Sequence, residues 1–256
     1  MVLLSRTPCT VTTTGSVCSR QAPLRYKNLV PQDNNELSHG ADHTSYNVVL
    51  NAHPETCRTM QLCLLLLSMG IMMNRILVIS GHSNLDQSTG NATILADLQE
   101  QLGNRVSIRK LDKLYPHYAP FDVAAEQQAL LAADTIVLQF PMNWYSVPAL
   151  LKKWIDEVFL FGFAYGDGGD KLKGKKLLLS FTTGAGAQAY DGNQCHRIAQ
   201  FMPPFIDTAR LCGLDWQEPV YTHGVLYIPG VHDEVHRQEI LKLAHDHAKR
   251  LIARLD

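Results

Sequence analysis

Apolar and polar positions divide this chain into two unlike parts. From Met73 onward, short apolar runs of strand length alternate with segments in which apolar residues recur every three or four positions, the period of an amphipathic helix. The apolar runs are continuous rather than alternating, which is typical of parallel strands buried on both faces. Five strands are predicted: Arg75–Ser80, Val106–Leu111, Thr135–Phe140, Lys176–Phe181 and Val220–Ile228.

Helical segments lie between these strands and follow the last one. Strands that alternate with helices form a parallel sheet with helices on both faces, because right-handed crossovers place a helix over each connection. The sequence therefore predicts one α/β domain over residues 73–256, a doubly wound five-stranded parallel sheet of strand order 2-1-3-4-5. The predicted helices are Asn91–Leu102, Ala124–Ala133, one that begins at Pro148, Ile198–Cys212 with an interruption at Pro203 and Pro204, and a last helix capped by Asp233.

Residues 1–72 show neither of these periods and are rich in Ser, Thr, Asn, Pro and Gln. Their apolar block, from Leu62 to Met73, is shorter than the roughly 20 residues that a helix needs to cross a bilayer. The block also lacks the small-residue cleavage site of a signal peptide before the first strand. We expect this region to be a disordered extension, or sequence upstream of a natural start at Met72 or Met73; a targeting segment is the alternative.

Charge and cysteine content exclude several classes of protein. The 23 basic and 24 acidic residues nearly balance, so the composition predicts no nucleic-acid partner and no attraction to an anionic membrane. Of six cysteines, Cys195 and Cys212 fall in the predicted domain, and the chain has no Cys or His spacing typical of a metal site. We therefore expect no bound metal, no disulfide framework and a reducing, cytoplasmic location.

The stretch from Thr135 to Phe163 is predicted to form a strand, a short aromatic loop and an amphipathic helix. In open α/β sheets, ligands bind in the loops that follow the carboxyl ends of the strands. This loop offers backbone N–H donors beside flat aromatic surface, a combination that suits a planar heterocycle with polar edges. Its residues are Pro141, Met142, Asn143, Trp144 and Tyr145. The alternative is that the two rings only cover the edge of the sheet.

Two further loops, after the first and fourth strands, reach the same edge of the predicted sheet. The first contains His82, Ser88 and Asn91, and its polar groups at the N-terminus of a predicted helix favour a phosphate. The alternative role of Ser88 is that of a helix cap alone. The other loop supplies two hydroxyls and unhindered backbone amides; its residues are Thr182, Thr183, Gly184 and Gly186.

Tyr190 and His196 follow the loop after the fourth strand, six residues apart. A phenol donates a hydrogen bond, and an imidazole carries or releases a proton near pH 7, so the pair is a candidate for acid catalysis. A structural role at the surface is the alternative for each of them. The remaining histidines, which include His223 and His247, have no matching carboxylate or thiolate pattern, and we expect them to be solvated.

Taken together, these residues resemble the flavodoxin-like NAD(P)H dehydrogenase (quinone) family. That family includes the mammalian-type quinone reductases and the bacterial ancillary flavoproteins of glutathione-gated potassium-efflux systems. The resemblance covers the domain from Met73 to Asp256 and none of residues 1–72. Four segments carry it: Gly81-His82 with Ser88 and Asn91; Gln139 to Tyr145 with Trp154 and Asp156; Gly162 to Gly166; and Thr182-Thr183-Gly184.

The resemblance implies a flavodoxin-like fold and a bound flavin, with the phosphate in the first loop and the ring against the 141–145 and 182–186 loops. The flavin is FMN or, alternatively, FAD; the compact chain is similar to the bacterial branch and favours FMN. The implied reaction is two-electron reduction of quinones by NAD(P)H, in which hydride passes to and from the flavin while Tyr190 and His196 assist. A homodimer is implied as well.

Two other functions stay open at this stage. One is a regulatory ancillary flavoprotein that associates with a membrane potassium-efflux transporter, with its own reductase activity secondary. The other is a one-electron carrier of the flavodoxin type, although the nearly balanced charge of this chain is unlike the acidic composition expected of such carriers.

Overall fold

A five-stranded parallel sheet forms the centre of the protein. The computed structural model describes residues 75–193 and 195–256, so the prediction for residues 1–72 lies outside the described part of the chain. The strand order is β2-β1-β3-β4-β5, which confirms the predicted fold class and topology. The strands are β1 Ile76–Ser80, β2 Val106–Lys110, β3 Thr135–Pro141, β4 Lys176–Thr182 and β5 Asp215–Thr222.

Helices follow the strands as the hydrophobic pattern predicts, with small differences at their ends. The first helix begins at Thr89, two residues before the predicted start, because Ser88 caps it. The predicted interruption at Pro203 is confirmed: a 3₁₀ turn, Ile198–Phe201, precedes a helix that begins with two prolines. The helices are α1 Thr89–Leu102, α2 Leu111–Leu114, α3 Val123–Ala132, α4 Ala149–Val158, α5 Pro203–Leu211 and α6 Glu234–Leu255.

The sheet separates two hydrophobic cores, because successive side chains of a strand point to opposite faces. On one face, Leu77 and Ile79 of β1 belong to a core that includes the buried indole of Trp154 in α4. On the other face, Ile76 and Val78 pack in a core shared with α1 and α6. Coverage on both sides explains why the strand sequences are continuous apolar runs.

The bounds predicted for the fifth strand, Val220–Ile228, are wrong. β5 spans Asp215–Thr222 because the register of the parallel ladder places Asp215 opposite Lys176, the first residue of β4. The ladder shifts between Leu178 and Ser180, and this irregularity accommodates Pro219 on an edge strand. Beyond the strand, Gly224 has a φ of +72°, and the apolar residues that follow form a loop instead of extending the strand.

The expectation that His247 is solvated is also wrong. This α6 residue is fully buried, and its two ring nitrogens lie 2.8 Å from Ser180 Oγ and 2.8 Å from Thr222 Oγ1. Burial, with a smaller contribution from the charge of Arg250, lowers the pKa of His247 to about 3. The side chain is therefore neutral at pH 7 and ties α6 to β4 and β5.

Candidate functional site

The three predicted loops meet at the carboxyl edge of the sheet, around a cavity of about 380 Å³. This size falls within the range of roughly 300 to 1,000 Å³ that small-molecule sites occupy. The cavity lies where the chain switches from β1 to β3, the position at which doubly wound sheets bind ligands. Eight residues predicted from the sequence line it: His82, Ser88, Asn91, Pro141, Met142, Asn143, Thr182 and Gly184.

One end of the cavity is the N-terminus of α1. Ser88 caps the helix, since its Oγ accepts the backbone N–H of Asn91 at 3.2 Å, and Ser88 also lines the cavity. Thr89 and Gly90 line it beside the cap. A Cβ on Gly90 would come within 2.4 Å of Val225 Cγ1, so glycine allows the loop after β5 to approach the helix. The first turn of α1 carries free amide donors and the positive end of the helix dipole, which together suit an anion.

Asn91 lines the cavity but is largely committed to the fold, with only 3% of its surface exposed. Its Nδ2 donates to Ser88 Oγ at 3.1 Å, and its Oδ1 accepts from Gln139 Nε2 at 2.7 Å. A longer contact of 3.4 Å joins it to Thr182 Oγ1. The amide therefore ties α1 to the ends of β3 and β4, so the position of the helix N-terminus depends on it.

Asn91 is part of a set of buried polar side chains beneath the cavity, which we call the polar layer. Its members come from α1, three strands and α6, and they pair with one another through hydrogen bonds instead of facing solvent. In this way most of these buried polar atoms have partners; among the described residues, Gln139 Oε1 and the Ser80 hydroxyl of β1 have none. The polar layer consists of Asn91, Gln139, Ser180, Thr182, Thr222 and His247.

His82 lies at the entrance to the cavity, where its Nδ1 accepts the backbone N–H of Asn84 at 3.0 Å. Burial lowers its pKa, while the charge of Asp112 acts in the opposite direction. The hydrogen bond to Asn84 requires an unprotonated Nδ1, so it agrees with a neutral ring at pH 7. The ring thereby orders the loop after β1.

The loop after β3 closes as a tight turn from Asn143 to Ser146. The backbone groups of these two residues exchange two hydrogen bonds of 3.0 Å, and the residues between them, Trp144 and Tyr145, have φ values of +49° and +64°. Two successive positive φ values define a type I′ turn, which normally carries Asn or Gly. Aromatic residues in this conformation are strained, and such strain is concentrated at functional sites.

Aromatic side chains gather beside this turn, and we call them the aromatic rim: Trp144, Tyr145, Tyr190, His196 and Phe201. Phe201 is at the centre, stacked on Tyr145 with ring centroids 5.3 Å apart. Tyr190 and His196 each meet its ring edge-on, at 6.5 and 6.0 Å. The structure thus brings the predicted pair to one aromatic surface. Trp144 is 93% exposed and projects from the turn.

Thr183 and Gly186 lie close to the cavity but are not among the residues that line it. Thr183 is buried, and its hydroxyl donates to Ala185 O at 2.8 Å and lies 2.9 Å from His223 Nδ1. The loop after β4 therefore presents Gly184 to the cavity and directs the Thr183 side chain toward β5.

Sequence reasoning missed the segment after β5, which forms a wall of the cavity through Val225, Leu226 and Tyr227. These apolar residues resemble the end of a strand when read as a local pattern. Gly224 was the one available signal, since an isolated glycine within an apolar run marks a bend or a close backbone approach.

Within residues 75–193 and 195–256, His, Cys, Asp and Glu side chains form no group of three or more that could hold a metal ion. Over the same residues, none of the helices has the length and apolar character needed to span a bilayer.

The fold and the site define an α/β protein that binds a small molecule at the switch point of a doubly wound sheet. A sequence model of the flavodoxin-like fold family matches residues 74–247, and the chain belongs to that family. A curated relative, the glutathione-regulated potassium-efflux system ancillary protein KefF of Enterobacter sp. (strain 638), is 44% identical over 148 residues, which cover 58% of this chain and 82% of the relative.

Two solved structures are similar to this chain over most of the described domain. General stress protein 14 of Treponema denticola, solved in complex with FMN, is 34% identical with a TM-score of 0.62; the match covers 71% of this chain and 99% of that one. The NADPH-quinone reductase of P. pentosaceus is 29% identical with a TM-score of 0.54, over 68% of this chain and 97% of that one. Both agree with the family that the sequence motifs predicted.

Proposed function

We propose that this protein is a flavin-dependent oxidoreductase that binds FMN and reduces quinones with NAD(P)H. The observation that carries the proposal is the cavity at the switch point, which has a helix N-terminus at one end and a strained aromatic turn near the other. An anion site beside a flat aromatic surface suits a planar ring that bears a phosphate tail. The FMN complex of the Treponema relative and the name of the P. pentosaceus reductase support the same assignment.

The residues present fit the phosphate of a flavin. Ser88 and the first turn of α1 supply a hydroxyl and amide donors, and Gly90 lines the cavity beside them. His82, Ser83 and Gln87 add polar groups at the entrance to the cavity. In this assignment Asn91 holds the helix in place through the polar layer while presenting its exposed edge to the cavity.

The loop after β3 suits the ring of a flavin. Met142 N–H donates to Thr182 O at 2.8 Å and Asn143 N–H to Ser146 O at 3.0 Å, so both donors are already used within the protein. The N–H groups of Trp144 and Tyr145 have no acceptor among the described residues and are the donors available to a polar ring edge. Such donors stabilise negative charge on a reduced ring when they are fixed beforehand.

When bound, the flavin supplies hydride chemistry between a nicotinamide donor and a quinone. The aromatic rim provides the apolar surface against which flat substrates stack. Tyr190 donates its phenolic proton to the carbonyl oxygen of the acceptor, and His196, which is exposed beside Phe201, exchanges protons with solvent. General acid assistance of this kind is usually worth about 10² to 10⁴ in rate.

Titration of the purified protein with FMN and FAD tests the cofactor, and assays with NADH and NADPH against a simple quinone test the reaction. We expect tight binding of FMN, weaker binding of FAD and a quinone-dependent loss of nicotinamide absorbance. A colourless protein that gains no flavin absorbance with either cofactor would exclude the proposal. Flavin binding without turnover would exclude the reductase activity alone.

The combined change Tyr190→Phe and His196→Gln tests the acid assignment. We expect quinone turnover about 100-fold slower, with flavin content and unfolding temperature unchanged, because neither side chain belongs to the polar layer. The matched control is Tyr118→Phe with His117→Gln, the same chemical change on an exposed loop away from the cavity, which should leave turnover intact. Equal rates for both double variants would remove Tyr190 and His196 from the catalytic residues.

The KefF relative favours a second candidate function, association with a membrane potassium-efflux transporter, in which the reductase activity is secondary. Co-purification of a potassium-efflux transporter with the tagged protein from its own host tests this function. We also propose a homodimer, in which a second copy covers apolar side chains such as Phe161, Val231 and Val235 that are exposed in the single chain. Sedimentation of the purified protein measures the oligomeric state.

A further inference from the structure

The segment that forms a wall of the cavity after β5 runs between two glycines. We call residues 224–230 the wall segment. Gly224 and Gly230, at its ends, have φ values of +72° and +80°, a conformation that glycine adopts without strain. Three side chains between them, Val225, Leu226 and Tyr227, line the cavity. The wall segment therefore covers one side of the candidate flavin site and has a backbone bend at each end.

Main-chain hydrogen bonds fix the first end of the wall segment. Gly224 N–H donates to Ala185 O at 2.9 Å, and Val225 N–H donates to Thr183 O at 2.8 Å. The side chain of Val225 also packs so closely on α1 that a Cβ on Gly90 would come within 2.4 Å of its Cγ1. None of these residues has a titratable side chain, so this end of the segment does not respond to pH.

Two imidazole rings hold the middle of the wall segment. Nε2 of His236 lies 2.9 Å from Leu226 O, and Nδ1 of His232 accepts the backbone N–H of Ile228 at 3.1 Å. His232 directly precedes Asp233, the N-cap of α6, whose Oδ1 accepts the backbone N–H of His236 at 2.9 Å. The position of both histidines is therefore set by the start of the helix.

The hydrogen-bond partners of the two rings determine where their protons lie. Leu226 O can only accept, so Nε2 of His236 carries a proton and donates it. Ile228 N–H can only donate, so Nδ1 of His232 carries no proton, and the ring is neutral with its proton on Nε2. The ring centroids lie 4.3 Å apart. A second proton on His232 would therefore remove the bond to Ile228 and place a charge beside His236.

Charged and titratable groups surround the two rings. They come from the wall segment and from the start of α6: Tyr227, Asp233, Glu234, Arg237 and Glu239. Glu239 Oε2 lies 3.5 Å from His236 Nδ1, and Arg237 is paired with Glu234 at 3.1 Å. With three carboxylates and one cation nearby, a charged His232 is accommodated once its bond to Ile228 is broken.

We propose that His232 and His236 are positioning residues for the flavin, which hold the wall segment against the cavity while His232 is neutral and release it when Nδ1 gains a proton. This inference rests on the proposed function. A closed wall segment keeps Val225, Leu226 and Tyr227 at the cavity, where their side chains exclude water from a bound ligand. The closed form binds one proton fewer than the open form, so FMN affinity should fall as the pH falls.

The state of the wall segment is tested first, without FMN. Long-range ¹H–¹⁵N correlation spectra at pH 7.5, assigned with His232→Asn, should show the proton of His232 on Nε2. A free imidazole titrates near pH 6.5, so the protection of the Ile228 amide against hydrogen exchange should fall about tenfold between pH 7.5 and 5.5. The same amide should keep its protection in His232→Asn. A proton on Nδ1, or protection that falls equally in both proteins, would overturn the proposal.

Flavin titration at the same two pH values tests the link to the site. His232→Asn places an amide oxygen where Nδ1 accepts, and this oxygen does not titrate. The variant should bind FMN within about threefold of the unaltered protein at pH 7.5 and about tenfold more tightly at pH 5.5. His82 and the phosphate of FMN are the same in both proteins, so their titration cancels in the ratio. An equal dependence on pH in the two proteins would overturn the proposal.

His232→Phe keeps a flat ring but removes the acceptor for Ile228 N–H. It should bind FMN about tenfold more weakly than the unaltered protein at pH 7.5, with the same unfolding temperature, because the ring lies near the surface. The matched control is His245→Gln, a change at an exposed imidazole of α6, which should follow the unaltered protein at both pH values. Full FMN affinity of His232→Phe at pH 7.5 would overturn the proposal.

The bond from His236 gives an independent test. His236→Gln keeps an N–H donor toward Leu226 O, whereas His236→Phe removes it, so only the phenylalanine variant should lose FMN affinity, by about tenfold. Equal affinities of these two variants would overturn the role of His236. Failure of the proposed function would be recognised separately, because the unaltered protein would then bind no FMN while the tautomer and amide-exchange results stood by themselves.

Discussion

The polar layer and the aromatic rim lie at the same edge of the sheet but are constructed in opposite ways. In the polar layer, side chains are buried and paired by hydrogen bonds of 2.7 to 3.4 Å between elements far apart in the chain. In the aromatic rim, Phe201 contacts the rings of Tyr145, Tyr190 and His196 at centroid distances of 5.3 to 6.5 Å, and three of the five side chains are exposed. One region consists of buried polar groups that are paired with one another except at Gln139 Oε1, and the other presents rings at the surface.

This difference indicates which residues support the fold and which are available to a ligand. Removing a polar-layer side chain leaves its buried partners without hydrogen bonds, which lowers the free energy of unfolding. It also weakens the binding of any ligand that depends on the helix N-terminus. Removing an exposed ring of the rim, such as that of Trp144 or His196, uncovers little buried surface, so the loss should appear in binding or turnover more than in folding. The polar layer therefore supports the site, and the rim is free to serve the chemistry.

The largest effect is expected from Asn91→Leu. The change keeps a side chain of similar size but deprives Gln139 Nε2 of its acceptor and Ser88 Oγ of its side-chain donor, so we expect a loss of about 3 kcal/mol in the free energy of unfolding. FMN affinity should fall in parallel, because the first turn of α1 is no longer tied to β3. Urea unfolding and flavin titration measure the two losses.

Gln101→Ala, an exposed change on the same helix, is the matched control and should alter the unfolding free energy by less than about 0.5 kcal/mol. If Asn91→Leu lowered FMN affinity while leaving stability intact, the polar layer would not support the fold.

A smaller effect on the free energy of unfolding is expected when the pH is lowered, because His247 is neutral in the folded protein. Its pKa is about 3 in the folded protein and near 6.5 when exposed, so below pH 6.5 the unfolded chain binds a proton that the folded chain does not. The stability contributed by neutral His247 is complete above pH 6.5 and is lost as the pH falls toward 3, by about 1.4 kcal/mol per pH unit.

His247→Gln removes this titration, so the stability advantage of the unaltered protein over the variant should shrink as the pH falls from 7 to 5. His245→Gln, an exposed change two residues earlier in α6, provides the comparison. Urea unfolding at several pH values measures all three proteins, and parallel pH profiles for the unaltered protein and His247→Gln would contradict the assignment.

The smallest effect concerns the rim. Trp144 has a φ of +49° and its ring is almost fully exposed, so Trp144→Gly should relieve backbone strain and lose little packing. We expect the free energy of unfolding to rise by about 0.5 kcal/mol, since the greater freedom of glycine in the unfolded chain offsets part of the gain. Thermal unfolding measures the change.

Trp144→Ala separates strain from the ring, because it removes the indole but keeps a Cβ at a positive φ. Both variants should bind FMN equally weakly, whereas only the glycine variant should gain stability. A loss of stability in Trp144→Gly would show that the indole supports the turn, and the rim would then share the structural role assigned to the polar layer.

The sequence by itself determined the class of fold and the edge of the sheet at which the site lies. Continuous apolar runs separated by helical periods are compatible with a parallel sheet covered on both faces, and the loops after its strands must then share one edge. For the same reason, residues such as Ser88, Pro141 and Thr182 could be placed at one site although they are far apart in the chain.

Only the tertiary structure decided which of those residues face the cavity and which support it. His247 and Asn91 are ordinary polar residues of amphipathic helices until β4 and β5 are in register beside them. The wall at Val225 and the contact between His223 and Thr183 depend on the same register, which the irregularity near Pro219 sets. A local sequence pattern predicts which residues of one helix or strand are buried. Hydrogen bonds between side chains 25 to 91 positions apart form only when the whole sheet is in place.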